Sequence, residues 1–388
     1  MPLDLGSISS QINRMSREAA AWDREERLLE AQRQLRTQDP GALRARLQVE
    51  RFRTSWLVAR PLAGLAAAFP SPTRPTSFSV VAADGSFIAP DRHNPVRYYV
   101  INTGTVQLSY GAHPDAQMRS EGQLFHDEED LYIPHDYKIL PIEGARLGMK
   151  MALWELRSLL AAARQAPRPR IALRDGSLIF WALQAEEEDV RDRFLRELIG
   201  LLNDFRSEDI PLASYVSFPN SRDVINTLRV GLCPDEPVSC DHCTARAEKR
   251  EPACRPISGL VDRWLFERVL PPGARSDLFE SSSEIVQRYG LHSIGFFYLN
   301  VGEEIARVEA PRWVLEDATG LGLVHALAYD QARRGGGYPP ALKEAHEQAV
   351  ITTAERRVVE EMVEEAAMQH NVHEPRSAKD RQKKERGL

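Results

Sequence analysis

The sequence predicts an α/β protein with a mixed β-sheet flanked by helices, helical additions at both ends and a small cysteine-rich insertion. From residue 77 onward, stretches with the alternating or β-branched pattern of strands are separated by stretches with helical periodicity. Strands that alternate with helices are typical of a mixed sheet covered by helices. The 388 residues leave room for one main domain of roughly 250 residues. All the cysteines fall in one short stretch, which accounts for the predicted insertion.

The composition narrows the class of protein. A hydrophobic fraction of 43% and a charged fraction of 27% are typical of a soluble globular chain. No stretch approaches the ~20 apolar residues of a membrane span, and the first residues lack the pattern of a secretory signal. We therefore expect no membrane association and a cytoplasmic location. The formal net charge of -6 indicates that any contact with nucleic acid is local rather than chain-wide.

Residues 1–76 are predicted to form an N-terminal helical region. A helix over about residues 8–35 carries one apolar stripe with alternating spacings of four and three residues. The stripe consists of Ile8, Ile12, Met15, Ala19 and Trp22. We expect it to pack on the protein's own core, with a second subunit as the alternative, because so short a heptad-like pattern does not establish a coiled coil.

Residues 77–352 are predicted to form the main domain. Its strands are expected at about residues 78–84, 97–110, 170–175, 212–218, 293–301 and 304–308. Its helices are expected at about residues 144–163, 187–206, 259–269, 315–333 and 340–350. Residues 353–388 then form a C-terminal helix, over about 353–370, and a basic disordered tail whose Lys and Arg residues lie at 376–386.

Two stretches of the main domain share an Asp-Gly-Ser motif between apolar flanks. They are VVAADGSFI at residues 80–88 and IALRDGSLI at residues 171–179. One interpretation is that each motif is a hairpin turn, since Asp-Gly between apolar runs is a strong turn signal. The other is that each strand presents a carboxylate at its end, Asp84 and Asp175, where glycine lets a ligand approach the backbone. Because the motif occurs twice with similar apolar flanks, the two interpretations carry equal weight.

A third carboxylate is predicted to lie on a buried helical face. In GMKMALWELRSLLAAA, Glu155 shares a stripe with apolar residues. An unpaired charge there would cost several kcal/mol, so Glu155 must pair with a base, be protonated or bind a cation. Arg146 or Lys150 could supply the base. A hard divalent cation would instead keep Asp84, Glu155 and Asp175 ionised together.

Tyr338 and His346 are the candidate site residues near the C-terminal end. In GGGYPPALKEAH, the two prolines after Tyr338 favour the start of a helix that carries His346 two turns later. A surface histidine after a flexible glycine loop is the simpler interpretation. The alternative is an anion site at the helix N-terminus, with Arg333 and Arg334 as DNA-binding residues that contact a phosphodiester.

This set of residues resembles the NurA nuclease family, whose members pair with the HerA translocase in DNA end processing. The shared positions are, in chain order, the two motif acids and the helical acid followed by a late Tyr and His: Asp84, Glu155, Asp175, Tyr338 and His346. Residues 213–228 resemble the family's strand-then-helix segment, and residues 296–313 resemble its late hairpin. The resemblance covers about residues 77–352, and Glu143 competes with Glu155 for the helical position.

The resemblance implies a ribonuclease H-like fold and a manganese-dependent DNA nuclease, with Mg²⁺ as the alternative ion. It also implies 5′ to 3′ exonuclease and single-strand endonuclease activity, in a homodimer docked on a HerA-type hexameric ATPase translocase during double-strand break repair. By the same resemblance, the metal is held by Asp84, Glu155, Asp175 and His346. Tyr338 would orient the phosphate or a metal-bound water. The competing hypothesis is a non-catalytic DNA clamp or adaptor subunit of a translocase complex, which the acidic net charge and the N-terminal stripe favour.

The four cysteines form a separate cluster within an insertion at residues 229–258. Their spacing is Cys233-x6-Cys240-x2-Cys243-x10-Cys254, with His242 inside the shortest interval. A cytoplasmic chain keeps its thiols reduced, so a soft-metal site is favoured over disulfides. Structural Zn²⁺ on four thiolates is the simplest interpretation, and a [4Fe-4S] cluster, a metal-free cluster or a redox sensor are the alternatives. The family resemblance does not account for this module.

Overall fold

The computed structural model describes residues 4–20, 23–49, 52–54, 56–91, 94, 96–135 and 137–372. The strands are β1 (Ala59–Pro61), β2 (Phe78–Ile88), β3 (Tyr99–Tyr110), β4 (Asp115–Phe125), β5 (Tyr132–His135), β6 (Lys138–Pro141), β7 (Arg170–Asp175), β8 (Leu212–Val216), β9 (Phe279–Ser281), β10 (Ile294–Asn300) and β11 (Ile305–Pro311). The helices are α1 (Leu5–Ala20), α2 (Arg24–Thr37), α3 (Pro40–Leu47), α4 (Glu128–Leu131), α5 (Ala145–Gln165), α6 (Glu188–Ser207), α7 (Asp223–Leu232), α8 (Thr244–Ala247), α9 (Asp262–Val269), α10 (Glu284–Gln287), α11 (Arg312–Glu316), α12 (Ala318–Arg334), α13 (Pro340–Ala349) and α14 (Thr353–Gln369).

A nine-stranded mixed sheet forms the centre of the molecule, in the order β1-β9-β10-β11-β8-β7-β2-β3-β4. The strands β2, β3 and β4 form an antiparallel meander, and β7 and β8 add in parallel beside β2. The helix α5 precedes β7 in the chain, and α6 connects β7 to β8. A meander followed by parallel strands with intervening helices is a ribonuclease H-like arrangement. The predicted mixed sheet flanked by helices is therefore confirmed.

Helices cover both faces of the central strands. On one face α5 packs on β2, β3 and β7, and its core includes Val81 and Leu153. On the other face α13 packs on the same strands and on α12, with a core that includes Val80 and Leu327. Successive residues of β2 alternate between these two cores because neighbouring side chains of a strand point to opposite faces. Each side chain of the first Asp-Gly-Ser motif therefore faces either α5 or the layer of α12 and α13.

Local sequence signals set the starts of the last helices. The carboxylate of Asp317 caps α12 by accepting hydrogen bonds from two backbone N–H groups. Helix α13 starts at Pro340, which suits a first turn because proline has no N–H to leave unpaired. Helix α14 starts with a capping box between Thr352 and Glu355. These caps place the starts of α13 and α14 where the sequence predicts them.

The N-terminal region differs from its prediction in two ways. The predicted helix over residues 8–35 is divided between α1 and α2. The prediction that its apolar stripe packs on the protein's own core is wrong, since Ile12 is 50% exposed and Met15 is 60% exposed. Trp22 and the side chain of Ala19 lie outside the described residues. The region also supplies a strand of the large sheet, because β1 pairs with β9.

Strand β4 and the β5-β6 hairpin were not predicted. Strand β4 forms one edge of the large sheet and is exposed at every position except the last. A strand with water on both faces needs no alternation of apolar and polar residues, so its sequence carries no strand signal. The prediction found the buried strands of the main sheet that are five residues or longer, but it missed the three-residue strands β1 and β9, which are also largely buried.

The C-terminal region, as far as the structure describes it, consists of α14. The predicted basic tail at residues 376–386 lies outside the described residues. Of the helices that are described, none has both the length and the apolar character needed to cross a membrane.

Candidate functional site

Asp84 lies within a strand rather than at its end. Strand β2 runs through the first Asp-Gly-Ser motif without interruption. The motif is therefore not a turn, and the prediction that the strand ends at Asp84 is also wrong. Strand β3 pairs with the whole motif, whereas the parallel pairing with β7 ends at Ala83 and Arg174. Asp84 and Asp175 take the next positions of these two strands. Because successive side chains of a strand point to opposite faces of the sheet, the carboxylates of Asp84 and Asp175 both face the layer of α12 and α13.

The glycine of the first motif makes room for Glu155. A Cβ atom at Gly85 would lie 2.8 Å from Oε1 of Glu155 and 2.9 Å from Cγ of Met151. Non-bonded carbon atoms prefer separations of roughly 3.5–4.0 Å, so a side chain at Gly85 would displace one of these groups. Glu155 itself is only 4% exposed and reaches the motif from the α5 side of the sheet.

Arg174 is the charged partner of Glu155. Its Nη2 lies 3.0 Å from Oε2 of Glu155, and its Nε donates a hydrogen bond of 3.1 Å to the same oxygen. Burial raises the pKa of Glu155, and the Arg174 guanidinium opposes that increase. The carboxylates of Asp84 and Asp175 raise this pKa further, so the three acids lie within electrostatic reach of one another.

The bases expected to balance Glu155 are engaged elsewhere. Nη2 of Arg146 lies 2.8 Å from Oε2 of Glu186. Nζ of Lys150 lies 3.8 Å from Oδ1 of Asp130. The prediction that one of them pairs with Glu155 is therefore wrong. Sequence reasoning missed Arg174 because its place beside the second motif gave no indication that it faces α5.

Glu143, the competitor for the helical position, lies away from the motif acids. It comes before α5, its side chain is 49% exposed, and it forms an ion pair with Arg97. Glu155 interacts with both motif aspartates instead. The structure therefore places Glu155, and not Glu143, beside Asp84.

Asp175 ends β7 and is followed by a turn. Gly176 has a φ of +75°, a left-handed conformation that glycine adopts without strain. Its N–H donates a hydrogen bond of 2.9 Å to Oδ1 of Asp175. Although Asp175 is an exposed residue, the surrounding protein partly desolvates its carboxylate and raises the pKa. A hydrogen bond from the Tyr338 hydroxyl lowers the same pKa.

Tyr338 is held beside Asp175 by a glycine turn. Gly336 and Gly337 have φ values of +67° and +113°, so the glycine triplet forms a tight turn at the end of α12. The carbonyl oxygen of Gly337 accepts a hydrogen bond of 2.9 Å from the Tyr215 hydroxyl, and the rings of Tyr215 and Tyr338 pack edge to face at 5.9 Å. Burial and the adjacent Asp175 raise the pKa of Tyr338. Its hydroxyl therefore remains a donor.

His346 contacts Asp84 directly. Its Nδ1 lies 2.7 Å from Oδ2 of Asp84, and its side chain is 64% exposed. The Ser86 hydroxyl donates a hydrogen bond of 2.5 Å to the carbonyl oxygen of Ala349, and the Asn102 side-chain amide donates one of 2.9 Å to the same oxygen. The serine of the first motif thus fixes the end of the helix that carries His346.

Gly104 on β3 allows α13 to lie directly on the sheet. A Cβ atom at this position would be 2.3 Å from the carbonyl oxygen of Ala345, the residue before His346. The sequence analysis did not single out Gly104. The available signal was an isolated glycine inside a strand, which often marks the close approach of another backbone.

A buried carboxylate supports the turn of the second motif. Oε2 of Glu309 accepts hydrogen bonds from the Ser177 hydroxyl at 2.8 Å and from the backbone N–H of Leu178 at 2.9 Å. Its Oε1 accepts one of 2.9 Å from Arg307, and Glu309 is 2% exposed. Sequence reasoning missed this residue, although adjacent strand charges in IARVEAP could have indicated a buried ion pair.

The structure brings together the predicted acids, the tyrosine and the histidine from separate elements. They are Asp84 on β2, Glu155 on α5, Asp175 on β7, Tyr338 before α13 and His346 on α13. Carboxylates and an imidazole are suitable donors for a divalent cation such as Mn²⁺ or Mg²⁺. Each acid has a protein partner, and across the described ranges no group of three or more His, Cys, Asp or Glu side chains is arranged to hold a metal ion as it stands. Metal binding would therefore require these acids to exchange partners.

Arg333 and Arg334 are exposed at the end of α12. Nε of Arg334 donates a hydrogen bond of 2.6 Å to Asp330, and its guanidinium lies 4.4 Å from the centre of the Tyr110 ring. Arg334 is therefore already engaged by the protein. DNA binding by these two arginines stays a prediction.

The four cysteines surround one small cavity, and none of the site acids lines it. All four thiols are partly buried and free of disulfides. Burial raises the pKa of Cys240 to about 11, and the thiols of Cys254 and Cys233 contribute to the increase. A redox-sensing cysteine needs a lowered pKa, so this environment does not favour the redox-sensor hypothesis. His242 is exposed and does not line the cavity.

Comparison with known proteins gives a family match and similar solved structures. A family model described as the NurA domain matches residues 78–351, and no curated protein matches the chain. The crystal structure of the NurA nuclease from Sulfolobus solfataricus is similar, with 13% identity and a TM-score of 0.53 over 95% of this chain and 98% of that chain. The crystal structure of NurA with manganese has 12% identity and a TM-score of 0.39, over 91% of this chain and 97% of that chain.

Proposed function

Because this chain belongs to the NurA family of nucleases, we propose that it hydrolyses phosphodiester bonds in DNA with the help of a divalent metal ion. The observation that carries the proposal is the convergence of Asp84, Glu155 and Asp175. An ion pair with Arg174 accounts for one buried acid. It does not account for two further acids beside it, which raise the pKa of Glu155 instead of stabilising its charge.

The donor set fits Mn²⁺ or Mg²⁺. Asp84, Glu155 and Asp175 would supply carboxylate oxygens and His346 an imidazole nitrogen, which are ligands of hard or intermediate divalent ions. A cation at this position would offset the desolvation that raises the pKa of Glu155. When bound, the ion would polarise the scissile phosphate and lower the pKa of an attacking water.

The residues around the acids have separate tasks. Arg174 orients Glu155 and keeps its carboxylate at the level of Gly85. Tyr338 keeps its proton and can donate it in a hydrogen bond to a phosphate oxygen in place of Asp175. Nδ1 of His346 faces Asp84, which leaves its Nε2 available to a metal ion or to the leaving group of the reaction.

The finer features of the activity follow from the family resemblance. We propose 5′ to 3′ exonuclease and single-strand endonuclease activity in DNA end processing, in a homodimer that works with a HerA-type ATPase translocase. A partner is supported by α1, on which Leu5 is 70% exposed and Met15 is 60% exposed. Exposed apolar residues that continue along one helix are typical of a docking surface.

Digestion of labelled DNA tests the nuclease proposal. The parent protein is expected to cleave with Mn²⁺ and to stop when EDTA is added. Asp84→Asn and Asp175→Asn should each lower the cleavage rate on the order of a thousandfold, because loss of metal-stabilised charge costs several kcal/mol and each ~1.4 kcal/mol is tenfold in rate. Glu121→Gln, on the exposed edge strand β4, is the matched control and should cleave like the parent.

Two outcomes would contradict the proposal. Cleavage by Asp84→Asn at the parent rate would remove this residue from the site. Absence of metal-stimulated cleavage by the parent, together with binding of DNA or a translocase that disappears when residues 5–20 are removed, would favour the clamp or adaptor function instead.

A further inference from the structure

The connection between α7 and α9 has little regular structure of its own. Across residues 233–261, all of which the structure describes, α8 and a 3-10 turn (Arg255–Ile257) are its helical segments. Its buried apolar side chains are few: Val238, which packs with Val58 and Val230, and Ile257, Leu260 and Val261 at its end. A connection this long and this sparsely packed needs another source of stabilisation.

The four cysteines of this connection line one cavity. Its volume of about 40 Å³ exceeds the roughly 10–15 Å³ that a single water needs, so a metal ion has room to enter between them. The exposed His242 takes no part in the lining, and the Asp235 carboxylate, which does line the cavity, accepts a hydrogen bond from the backbone N–H of Thr244. The four sulfur atoms are therefore the metal-binding groups available to an ion.

We propose that Cys233, Cys240, Cys243 and Cys254 bind one structural zinc ion that holds this connection in place. Four thiolates around zinc in a tetrahedron form a closed structural site. Binding replaces the four thiol protons, which are released to solvent, with four zinc–sulfur bonds. Within the described residues the side chains are not yet arranged to hold a metal ion, so the thiols turn inward as the ion binds.

Two arginines can balance the charge of such a site. A divalent ion with four thiolates carries a net charge of about two negative units, which nearby donors stabilise. Nη2 of Arg229 lies 3.9 Å from Sγ of Cys254, and its guanidinium is held over the Trp56 ring at 4.3 Å. Arg246 also lines the cavity. Positive charge is therefore already placed where the bound site needs it.

The backbone of the proposed site is anchored to the segments that precede β1. Arg46 donates hydrogen bonds to the carbonyl oxygens of Cys233, at 2.7 Å, and Asp235, at 3.0 Å. The N–H of Cys240 donates one of 3.0 Å to the carbonyl oxygen of Arg53. A zinc ion here would tie the end of α7 to the chain that leads into the edge strand of the sheet.

Metal analysis of the full chain tests this inference. Protein purified without chelators is expected to contain one zinc per chain. Cys240→Ser and Cys254→Ser should each lose it, whereas Asp84→Asn should retain it, because that acid belongs to the other site. Because this experiment measures zinc content and not DNA cleavage, its result does not depend on whether the proposed nuclease function is correct.

Cobalt exchange provides a second measurement that needs no variant to fold. The parent protein with Co²⁺ in place of zinc should show the visible absorption of a tetrahedral thiolate site. A protein without metal, or one with iron and inorganic sulfide, would overturn the proposal. So would four thiols that react with a thiol reagent at the same rate before and after zinc is removed by a chelator.

Discussion

The two Asp-Gly-Ser motifs have the same sequence but different structures. The first is part of the continuous strand β2, and its glycine is the point where Glu155 approaches from α5. In the second the strand ends at Asp175, and Gly176 turns the chain with a φ of +75°. One glycine is required for space and the other for its backbone conformation.

The neighbouring strands explain the difference. Strand β3 is long enough to pair with all three residues of the first motif, so the extended conformation continues through it. Strand β7 is paired on its outer side with β8, which ends soon after Tyr215 pairs with Asp175. The structure of a short motif is thus decided by how far its partner strands extend, which is not encoded within the motif.

Of the substitutions that distinguish the two motifs, replacement of the first glycine is expected to have the largest effect. Gly85→Ala should lower Mn²⁺-stimulated cleavage about 100-fold, because its Cβ would displace the Glu155 carboxylate and misplacement of about 1 Å can cost this much. Gly176→Ala should stay within a few-fold of the parent, since a Cβ there meets nothing within 4 Å. Rates of DNA cleavage under single-turnover conditions measure both.

Gly200→Ala is the matched control, because a Cβ at this position on α6 also meets nothing within 4 Å. It should cleave at the parent rate. If Gly85→Ala cleaved as fast as Gly200→Ala, the close approach of Glu155 would have no role in the activity.

The two serines should differ in their effect on stability. Ser177→Ala removes a donor to the buried carboxylate of Glu309 and should lower the free energy of unfolding by about 2 kcal/mol. Ser86→Ala removes a bond to a neutral carbonyl oxygen and should cost about 1 kcal/mol. Urea unfolding measures both changes. In a Glu309→Gln background the cost of Ser177→Ala should shrink, and an unchanged cost would contradict the assignment.

The sequence predicted the longer strands that bury an apolar face but not the three-residue strands β1 and β9, which are too short to show a periodic pattern. Strand β7 was predicted at its observed bounds, and α5 within two residues of its ends. Strand β4 was missed because its exposed residues carry no periodic signal. The N-terminal stripe was predicted to pack internally, since periodicity indicates an apolar face but not the surface that covers it.

The candidate site was predicted as a set of residue types but not as a set of contacts. The sequence singled out Glu155 as an acid on an apolar face that must pair with a base, be protonated or bind a cation. It could not show that Arg174 is its partner, because the contact joins a helix to a strand whose register is set by the fold. The same holds for Gly104, whose role depends on the position of α13.

The pH dependence of metal binding should reflect both motifs. Burial raises the pKa of Glu155, beside the first motif, and of Asp175, in the second. Both must lose their protons to bind Mn²⁺, so the affinity should fall as the pH falls through these raised values, by about tenfold per pH unit for each proton released. Calorimetry in buffers with different ionisation enthalpies counts these protons.

Variants assign the protons to the motifs. Glu155→Gln and Asp175→Asn should each reduce the number of protons released on Mn²⁺ binding. The metal-free protein should show the opposite trend in stability. In the folded state these two acids retain protons that the unfolded state loses above about pH 4. Their contribution to the free energy of unfolding, measured as the difference between the parent and the two variants, should therefore rise as the pH falls towards that value. An Mn²⁺ affinity independent of pH would exclude this linkage.

The smallest and most specific expected effect concerns stability. At each glycine we compare how much alanine and asparagine lower the free energy of unfolding. At Gly176 alanine should cost about 1 kcal/mol of unfolding free energy and asparagine only a few tenths, because asparagine tolerates positive φ. At Gly85 the order should reverse, since the backbone is extended there and the larger side chain clashes more with Glu155 and Met151. Urea unfolding of the four variants measures both orders. A requirement for positive φ and a requirement for space predict opposite orders. The same order at both positions would therefore mean that the two glycines meet the same structural requirement.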